Sequence, residues 1–321
     1  MKKIAPLLLF FMFFHFVSAQ VYTVLDAVQK TPISYATISF GNGNGLFADA
    51  DGVFEFSKKR YPDIDSLYIS ALGHRELGLS VTKLPKNIFL TQDIAELQEV
   101  IVKSENLGKY KTKKQSAILH DDYFKCWLPT VESEIAVFFP RDPLKSTKVA
   151  SVYIPVMMES SKNPSGNKQS FSTLFKMQFY QNNDGVPGKR LANEDIIFRI
   201  TNKNKSNYEL NILDYKVFIP KEGFFISVQV LGYTDKEGKL QHTKKYHEVE
   251  TRKGIVKIPT TFRPLLPFTN KIKNNITFSR RIFFRNRTWQ RFDKEYSENN
   301  TLIQSGHMNY GMGLKMHVYD K

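Results

Sequence analysis

Apolar and polar residues alternate in short bursts along the first third of the chain. Ala36-Thr-Ile-Ser-Phe40, Val53-Phe-Glu-Phe56, Ser66-Leu-Tyr-Ile-Ser70, Asn87-Ile-Phe-Leu90 and Glu99-Val-Ile-Val102 are rich in β-branched and aromatic residues, and most follow the period of two that turns one strand face toward a core. Residues that reverse the chain stand between them: Gly41-Asn-Gly-Asn-Gly45, Asp51-Gly52, Pro62-Asp63 and Gly73. Short strands at roughly ten-residue spacing, with no helical stretch, predict an antiparallel β-sandwich.

The same grammar continues further on. Val149 to Val156, Thr173 to Tyr180, Asp195 to Ile200, Tyr215 to Ile219 and Phe224 to Leu231 are β-branched or aromatic runs separated by turn residues. Within the second run Phe175, Met177 and Phe179 share one face and Lys176 and Gln178 the other, so the strand is expected to be buried on one side only. A β-sandwich or jelly-roll-like domain of this length is ordinary. The predicted fold class is therefore all-β, a small N-terminal sandwich followed by a larger one.

Charge sharpens the division. Residues 20–102 hold 7 Lys and Arg against 10 Asp and Glu, a net of −3, whereas residues 103–321 hold 37 against 21, a net of +16. Lys103 to Ser116 is polar and basic without an apolar period and reads as a linker, which sets the expected domains at 20–102 and 117–321. Residues 1–19 read as a signal peptide: Lys2 and Lys3, an apolar stretch from Ile4 to Val17, then Val17-Ser18-Ala19 as a small-residue cleavage site. That stretch is too short for a membrane-spanning helix, and none follows. A single cysteine, Cys126, excludes an intramolecular disulfide and any cysteine-based zinc or iron-sulfur centre, and beside Trp127 it reads as a small buried hydrophobe.

Val24-x-Asp26, Pro32-Ile33-x-x-Ala36-Thr37-Ile38, Gly45-x-x-Ala48-Asp49-x-Asp51-Gly52-x-Phe54-x-Phe56, Leu67-x-Ile69-Ser70-Ala71-Leu72-Gly73 and Leu97-x-Glu99-Val100-Ile101-Val102 follow one another in order. Together they resemble the carboxypeptidase regulatory-like domain, a transthyretin-like β-sandwich common in exported proteins of the Bacteroidota. The resemblance covers 20–102 and departs from the family pattern at Ala48 and His74. It implies an accessory domain and no catalysis by that domain. Phe179-Tyr180-x-x-x-Asp184-Gly185-x-Pro187-Gly188-x-x-Leu191 is similar to a turn of secreted bacterial jelly-roll domains, some of which bind carbohydrate.

Several constellations invite a chemical reading. His247-x-x-Glu250 has the spacing of a zinc-ligand pair, but Lys244 to Thr251 alternates like a strand, which is out of phase with a spacing of three. Asp49-x-Asp51-Gly52 and Asn182-Asn183-Asp184-Gly185 lack the further oxygens of a calcium site and read as hairpin turns. His120-Asp121-Asp122 near Cys126 reads as an acidic turn beside a core thiol. Gly41 to Gly45 lacks the Lys-Ser/Thr of a phosphate loop and is a turn. The residues from Thr251 to Arg291 stand apart, with 11 Lys and Arg, no Asp or Glu, and interleaved Phe and Trp. Arg280, Arg281, Arg285, Arg287 and Trp289 form the candidate anion-binding cluster, because guanidinium forks bind sulfate, phosphate and carboxylate while aromatic faces stack on sugar rings. Strand alternation would set Arg281, Arg285 and Arg287 on one face.

These readings converge on an exported, non-enzymatic cell-envelope binding or scaffold protein, located in the periplasm, at the outer-membrane surface or outside the cell. Its expected partner is an anionic polysaccharide or an envelope protein, with no nucleic acid and no cofactor. No catalytic, cofactor-binding or metal-binding residue is assigned, and the sequence leaves the oligomeric state open. Two alternatives accompany this reading, a metallocarboxypeptidase-related zinc hydrolase and a small outer-membrane β-barrel preceded by a regulatory-like domain.

Overall fold

A computed structural model describes residues 20–93, 108–158, 170–191, 194–241, 246–252, 254–295 and 298–320. The expected signal peptide and the expected strand at 99–102 lie outside them. The chain is all-β, and most of its strands form two sandwiches.

The first sandwich contains β1 (Gln20–Asp26), β2 (Thr37–Ser39), β3 (Gly45–Phe47), β4 (Val53–Phe56), β5 (Ser66–Ser70), β6 (Leu77–Ser80) and β7 (Asn87–Leu90). One sheet has the order β4-β1-β7, with β1 and β7 parallel, and the other has β3-β2-β5-β6. Their facing side chains, among them Val24, Ile38, Leu67, Ile69, Ile88 and Leu90, are almost wholly buried. The predicted bounds of β4, β5 and β7 coincide with those formed, since each strand buries alternate residues. At the β3–β4 turn, Asp49 Oδ1 accepts from the amides of Asp51 (3.0 Å) and Val53 (2.9 Å), while Gly52 takes φ +71°.

The larger sandwich begins earlier than expected. It contains β8 (Tyr110–Gln115), β9 (Cys126–Trp127), β10 (Ser133–Phe139), β11 (Thr147–Pro155), β12 (Ser172–Asn183), β13 (Val186–Arg190), β14 (Ile196–Thr201), β15 (Asn207–Asn211) and β16 (Phe224–Tyr233). The chain continues through β17 (Tyr246–Thr251), β18 (Gly254–Pro259), β19 (Leu266–Thr269), β20 (Thr277–Arg281), β21 (Gln290–Arg291), a single helical turn α1 (Thr301–Gln304), β22 (Asn309–Tyr310) and β23 (Gly313–Tyr319). A seven-stranded sheet runs β13-β12-β16-β10-β20-β21 with β14 added on β12, and a four-stranded sheet runs β15-β11-β23-β8. The main apolar core lies between these two sheets and includes Ile135, Phe139, Val152, Phe175, Met177, Phe179, Phe224, Ile226 and Leu314. This inward packing of separate sheets is a sandwich, not the closed, outward-apolar wall of a membrane barrel, so the barrel alternative does not describe the fold formed. No helix among the described residues is long and apolar enough to cross a membrane.

Three local expectations need correction. The described part of the basic linker is not a linker: Tyr110–Gln115 is β8, paired antiparallel with β23 from Tyr110↔Tyr319 to Gln115↔Leu314. Its side chains are all exposed, so no apolar period marks it, and an edge strand rich in Lys is one that resists further pairing. The run 215–219 is not a regular strand, because Leu213–Tyr215 is a 3₁₀ turn and Lys216 adopts φ +51°. Val217 and Ile219 are buried, and backbone hydrogen bonds to Val149 and Thr147 still tie this run to β11. Third, Lys176 and Gln178 are not solvated but 5% and 4% exposed, because the outer face of the seven-stranded sheet is itself covered.

The two sandwiches meet where the chain leaves β20. Ile282, Phe283 and Phe284 form a turn, not the strand continuation expected, and enter the Gly41–Gly45 loop through backbone bridges from Gly41 and Asn42 to Phe284. Ser39 Oγ and Gly43 N both donate to the Phe283 carbonyl, at 2.7 and 3.1 Å. Phe283, wholly buried, packs with Phe47, Leu174, Leu231 and Ile282. The loop is a turn, as read from the sequence, but glycine also has a second role there. A Cβ on Gly45 would lie 2.4 Å from the Phe283 ring and 2.5 Å from the Ile38 carbonyl.

Gly52 offers a clean test of the β3–β4 turn. A Cβ there would meet the Val24 carbonyl at 2.7 Å, and the β-branched side chain would sit at a φ it rarely adopts. Gly52→Val is expected to lower unfolding stability by about 2 kcal/mol or more. Asp51→Asn, an exposed change whose side chain is not the hydrogen-bonding acceptor, should stay within about 0.5 kcal/mol in the same denaturant titration.

Candidate functional site

Cross-strand register assembles an unusual polar row on the covered face of the seven-stranded sheet. Lys176 lies opposite Gln229, Gln229 opposite Glu134, and Glu134 opposite Arg280. A strand buried on both faces normally reads as continuous hydrophobics. Here the row is polar, and Glu134, Arg280, Lys176 and Gln178 find partners in one another's neighbourhood, whereas the buried Gln229 Nε2 has no hydrogen-bond partner among the described residues. Glu134, 1% exposed, accepts from Arg280 Nε at 2.7 Å, Tyr180 Oη at 2.8 Å and Ser227 Oγ at 2.6 Å. Arg280 also donates to Tyr180 Oη at 2.7 Å, and its guanidinium lies 4.4 Å from the Trp289 ring centroid. Lys176 pairs with Asp195 at 3.6 Å, and Gln178 donates to the same carboxylate.

Above this row opens a cleft of about 740 Å³ between the two sandwiches. Such a volume is in the range of ligand sites. The larger sandwich contributes Lys176, Tyr180, Lys189, Arg190, Glu194, Asp195, Arg280 and Arg287, and the N-terminal one contributes Tyr35, Ser70, His74, Arg75, Glu76 and Asp93. Six lining residues are Lys or Arg and four are Asp or Glu, an excess of two positive charges. Arg75 and Lys189 are exposed and, among the described residues, carry no carboxylate partner. His74 holds the N-terminal wall: its Nε2 lies 3.0 Å from Asp26 Oδ2 and its Nδ1 2.9 Å from the Leu72 carbonyl. Asp26 is held far below the ordinary carboxylate range, first by the Gln29 amide and then by Gln92 and His74.

The predicted anion-binding cluster is distributed differently from its expected single face. Arg281 pairs with Glu132 at 2.7 Å and lies over the Phe284 ring. Arg287 reaches across the joint to Glu76 at 2.5 Å and Ser70 at 3.2 Å, and Arg285 crosses it to lie over Tyr68. Trp289 is occupied by Arg280 and by an edge contact with Tyr180. Only Arg280 and Arg287 of the five line the cleft. The alternation argument fails because β20 stops at Arg281 and a turn follows. Sequence reasoning missed Glu134, Lys176, Tyr180 and Arg190; the available signal was the acid and base inside otherwise apolar strands, at Glu134 and Lys176.

The remaining candidates resolve structurally. His247 and Glu250 lie in β17, an extended strand whose period of two is out of phase with their spacing. Among the described residues no group of three His, Cys, Asp or Glu is placed to hold a metal ion. Asp122 caps the 3₁₀ turn Tyr123–Lys125, His120 Nε2 lies 2.6 Å from the Phe268 carbonyl, and Cys126 is buried with its thiol directed at the Asp122 carbonyl. Asn182 Oδ1 accepts from the Gly185 amide in the β12–β13 hairpin, with Asp184 and Gly185 both at positive φ.

Burial would push the Glu134 carboxyl up, but the Arg280 charge and the Ser227 and Tyr180 hydroxyls outweigh it, so the group is held below its ordinary value. Burial also raises the Tyr180 phenol well above its ordinary value, further than Arg280 lowers it. The site therefore keeps an ionised carboxylate and a neutral phenol across the physiological range. This arrangement fixes charge in place; neither group is poised to exchange a proton near neutral pH.

Comparison with known proteins adds little to this geometry. No family model matches the chain, and no curated protein matches it. A solved structure of the cysteine protease and lectin-like domains of Cwp84, a surface layer associated protein of Clostridium difficile, is similar at 11% identity with a TM-score of 0.35. The match covers 93% of this chain, which spans 63% of the length of that structure. At that score the likeness does not establish a shared fold.

Glu134→Gln should be destabilising, by about 1–3 kcal/mol, because it removes the buried charge with which the Arg280 guanidinium and the Tyr180 and Ser227 hydroxyls are paired. A carboxyl with a depressed folded-state pKa stabilises the fold above its unfolded pKa and loses that contribution as pH falls through the folded value. The variant's stability should accordingly fall less between neutral and acid pH than that of the parent, as read from urea titrations across that range.

Proposed function

We propose that this chain is an exported, non-enzymatic cell-envelope protein that binds an anionic glycan or an acidic envelope partner in the cleft between its two sandwiches. The carrying observation is the charge arrangement of that cleft. Its floor ions are neutralised internally and held rigid, while Arg75 and Lys189 stand at its walls without such partners among the described residues. Paired groups set the shape and unpaired cations supply the attraction, a division suited to recognition. The leader-like residues 1–19 and the net charge of +15 support an exported protein with an anionic partner. The seven-stranded two-sheet arrangement of residues 20–90 supports kinship of the N-terminal sandwich with carboxypeptidase regulatory-like domains, an accessory role consistent with binding.

Retention on an immobilised sulfated polysaccharide tests this reading. The protein should be held at low salt and released as ionic strength rises, because exposed charges are screened over about 8 Å at physiological salt. Arg75→Gln with Lys189→Gln should weaken retention several-fold with thermal stability nearly unchanged, since both are exposed. Unchanged retention in the double variant would remove the cleft from the account.

A further inference from the structure

The larger sandwich has a second outer face, on the four-stranded sheet, directed away from the cleft because the main core lies between the two sheets. Register places Tyr110 opposite Tyr319, Thr112 opposite His317 and Lys114 opposite Lys315 on β8 and β23, while Lys148 of β11 lies opposite His317. The result is an aromatic strip with a lysine border. Tyr110, half exposed, stacks on His317 at 3.9 Å and meets Tyr319 edge-on at 5.6 Å, and Phe218 continues the strip beside Tyr319 at 6.4 Å. Lys114 lies over the Tyr153 ring at 4.5 Å.

Charge on this face is one-sided. Asp320 reaches Lys111 and Lys145 only at 3.8 and 3.6 Å, and Glu209 reaches Lys315 at 3.8 Å, long contacts between partly exposed groups that leave the cations largely to solvent. Lys111 and Asp320 alternate out of this face, Lys111 lying opposite the buried Val318, so on the face itself Glu209 stands against Lys114, Lys148 and Lys315, a local excess of two positive charges. The imidazole of His317 registers that field: burial, then Lys148 and Lys315, hold it below its ordinary value, so that it remains a neutral ring for stacking.

We propose that the outer face of β8, β23 and β11 is a second binding surface, which takes a linear acidic polysaccharide, with Tyr110, His317 and Tyr319 stacking on its sugar rings and Lys114, Lys148 and Lys315 pairing with its carboxylates or sulfates. The surface is rigid because three paired strands carry it, and it is long because β8 and β23 pair over six residues. The choice of polysaccharide over nucleic acid, for which a basic aromatic strip also has affinity, rests on the reading of the chain as an exported binding protein. The site itself does not rest on the cleft.

Affinity measurements with polygalacturonate, heparin, neutral dextran and poly(dT) at low salt test the proposal on the full chain. Lys114→Gln/Lys148→Gln/Lys315→Gln should weaken polygalacturonate and heparin binding at least tenfold and flatten its salt dependence. Tyr110→Ala should weaken binding several-fold without changing the salt dependence, and, as a single exposed edge substitution, it reads the same contact if the triple variant folds poorly. Dextran should not bind. If the triple variant and Tyr110→Ala bind as the parent does while Arg75→Gln/Lys189→Gln loses binding, this surface is wrong and the cleft stands. If the lysine and tyrosine variants lose binding while the cleft variant does not, the surface stands and the cleft falls. Tighter binding of poly(dT) than of either polysaccharide would overturn the ligand class.

Discussion

Phe283 is wholly buried although it lies in a turn, because the larger sandwich inserts it into the N-terminal one. Burial of an aromatic or aliphatic side chain contributes about 1.5–3 kcal/mol, and Phe283 brings Phe47, Leu174, Leu231 and Ile282 with it. The backbone is bound as firmly: the Phe283 carbonyl accepts from both Ser39 and Gly43, and Gly45 leaves room for the ring only because it has no Cβ. The cleft exists because this joint holds the two sandwiches together at one end. Without it, the polar row from Lys176 to Arg280 would lose the N-terminal wall of the cleft that stands over it.

That dependence explains why the arginines of an acid-free basic segment that lie nearest the joint are internally committed. Arg280, Arg281, Arg285 and Arg287 each meet a demand set elsewhere. Arg280 neutralises Glu134 in the middle of a covered sheet, Arg281 meets Glu132, and Arg287 and Arg285 cross to Glu76 and Tyr68 of the N-terminal sandwich. Local absence of acids thus does not mean local absence of partners. The charge of the two proposed binding surfaces lies instead on residues with little sequence distinction, Arg75 and Lys189 at the cleft and Lys114, Lys148 and Lys315 on the four-stranded sheet.

The legible features were those fixed by local pattern. β4, β5 and β7 could be bounded to the residue because period-two alternation reflects one-sided burial, and the Asp49–Gly52 and Asn182–Gly185 turns because their chemistry is contained within a few residues. What escaped depended on distant contacts. The burial of Lys176 and Gln178 is caused by what covers their sheet; β8 lacks an apolar period because it is an exposed edge; and the acids that claim Arg280, Arg281 and Arg287 lie 146, 149 and 211 residues away along the chain. The density of arginines was visible, but not their direction.

Differential scanning calorimetry of the parent protein and of Phe283→Ala tests the joint directly. If Phe283 couples the sandwiches, the parent should unfold in one endotherm, and the variant, losing about 3–5 kcal/mol of core packing, should separate into two transitions, one for each sandwich. Two independent transitions already present in the parent, or a single unshifted endotherm in Phe283→Ala, would contradict the claim that this contact holds the two sandwiches as one body.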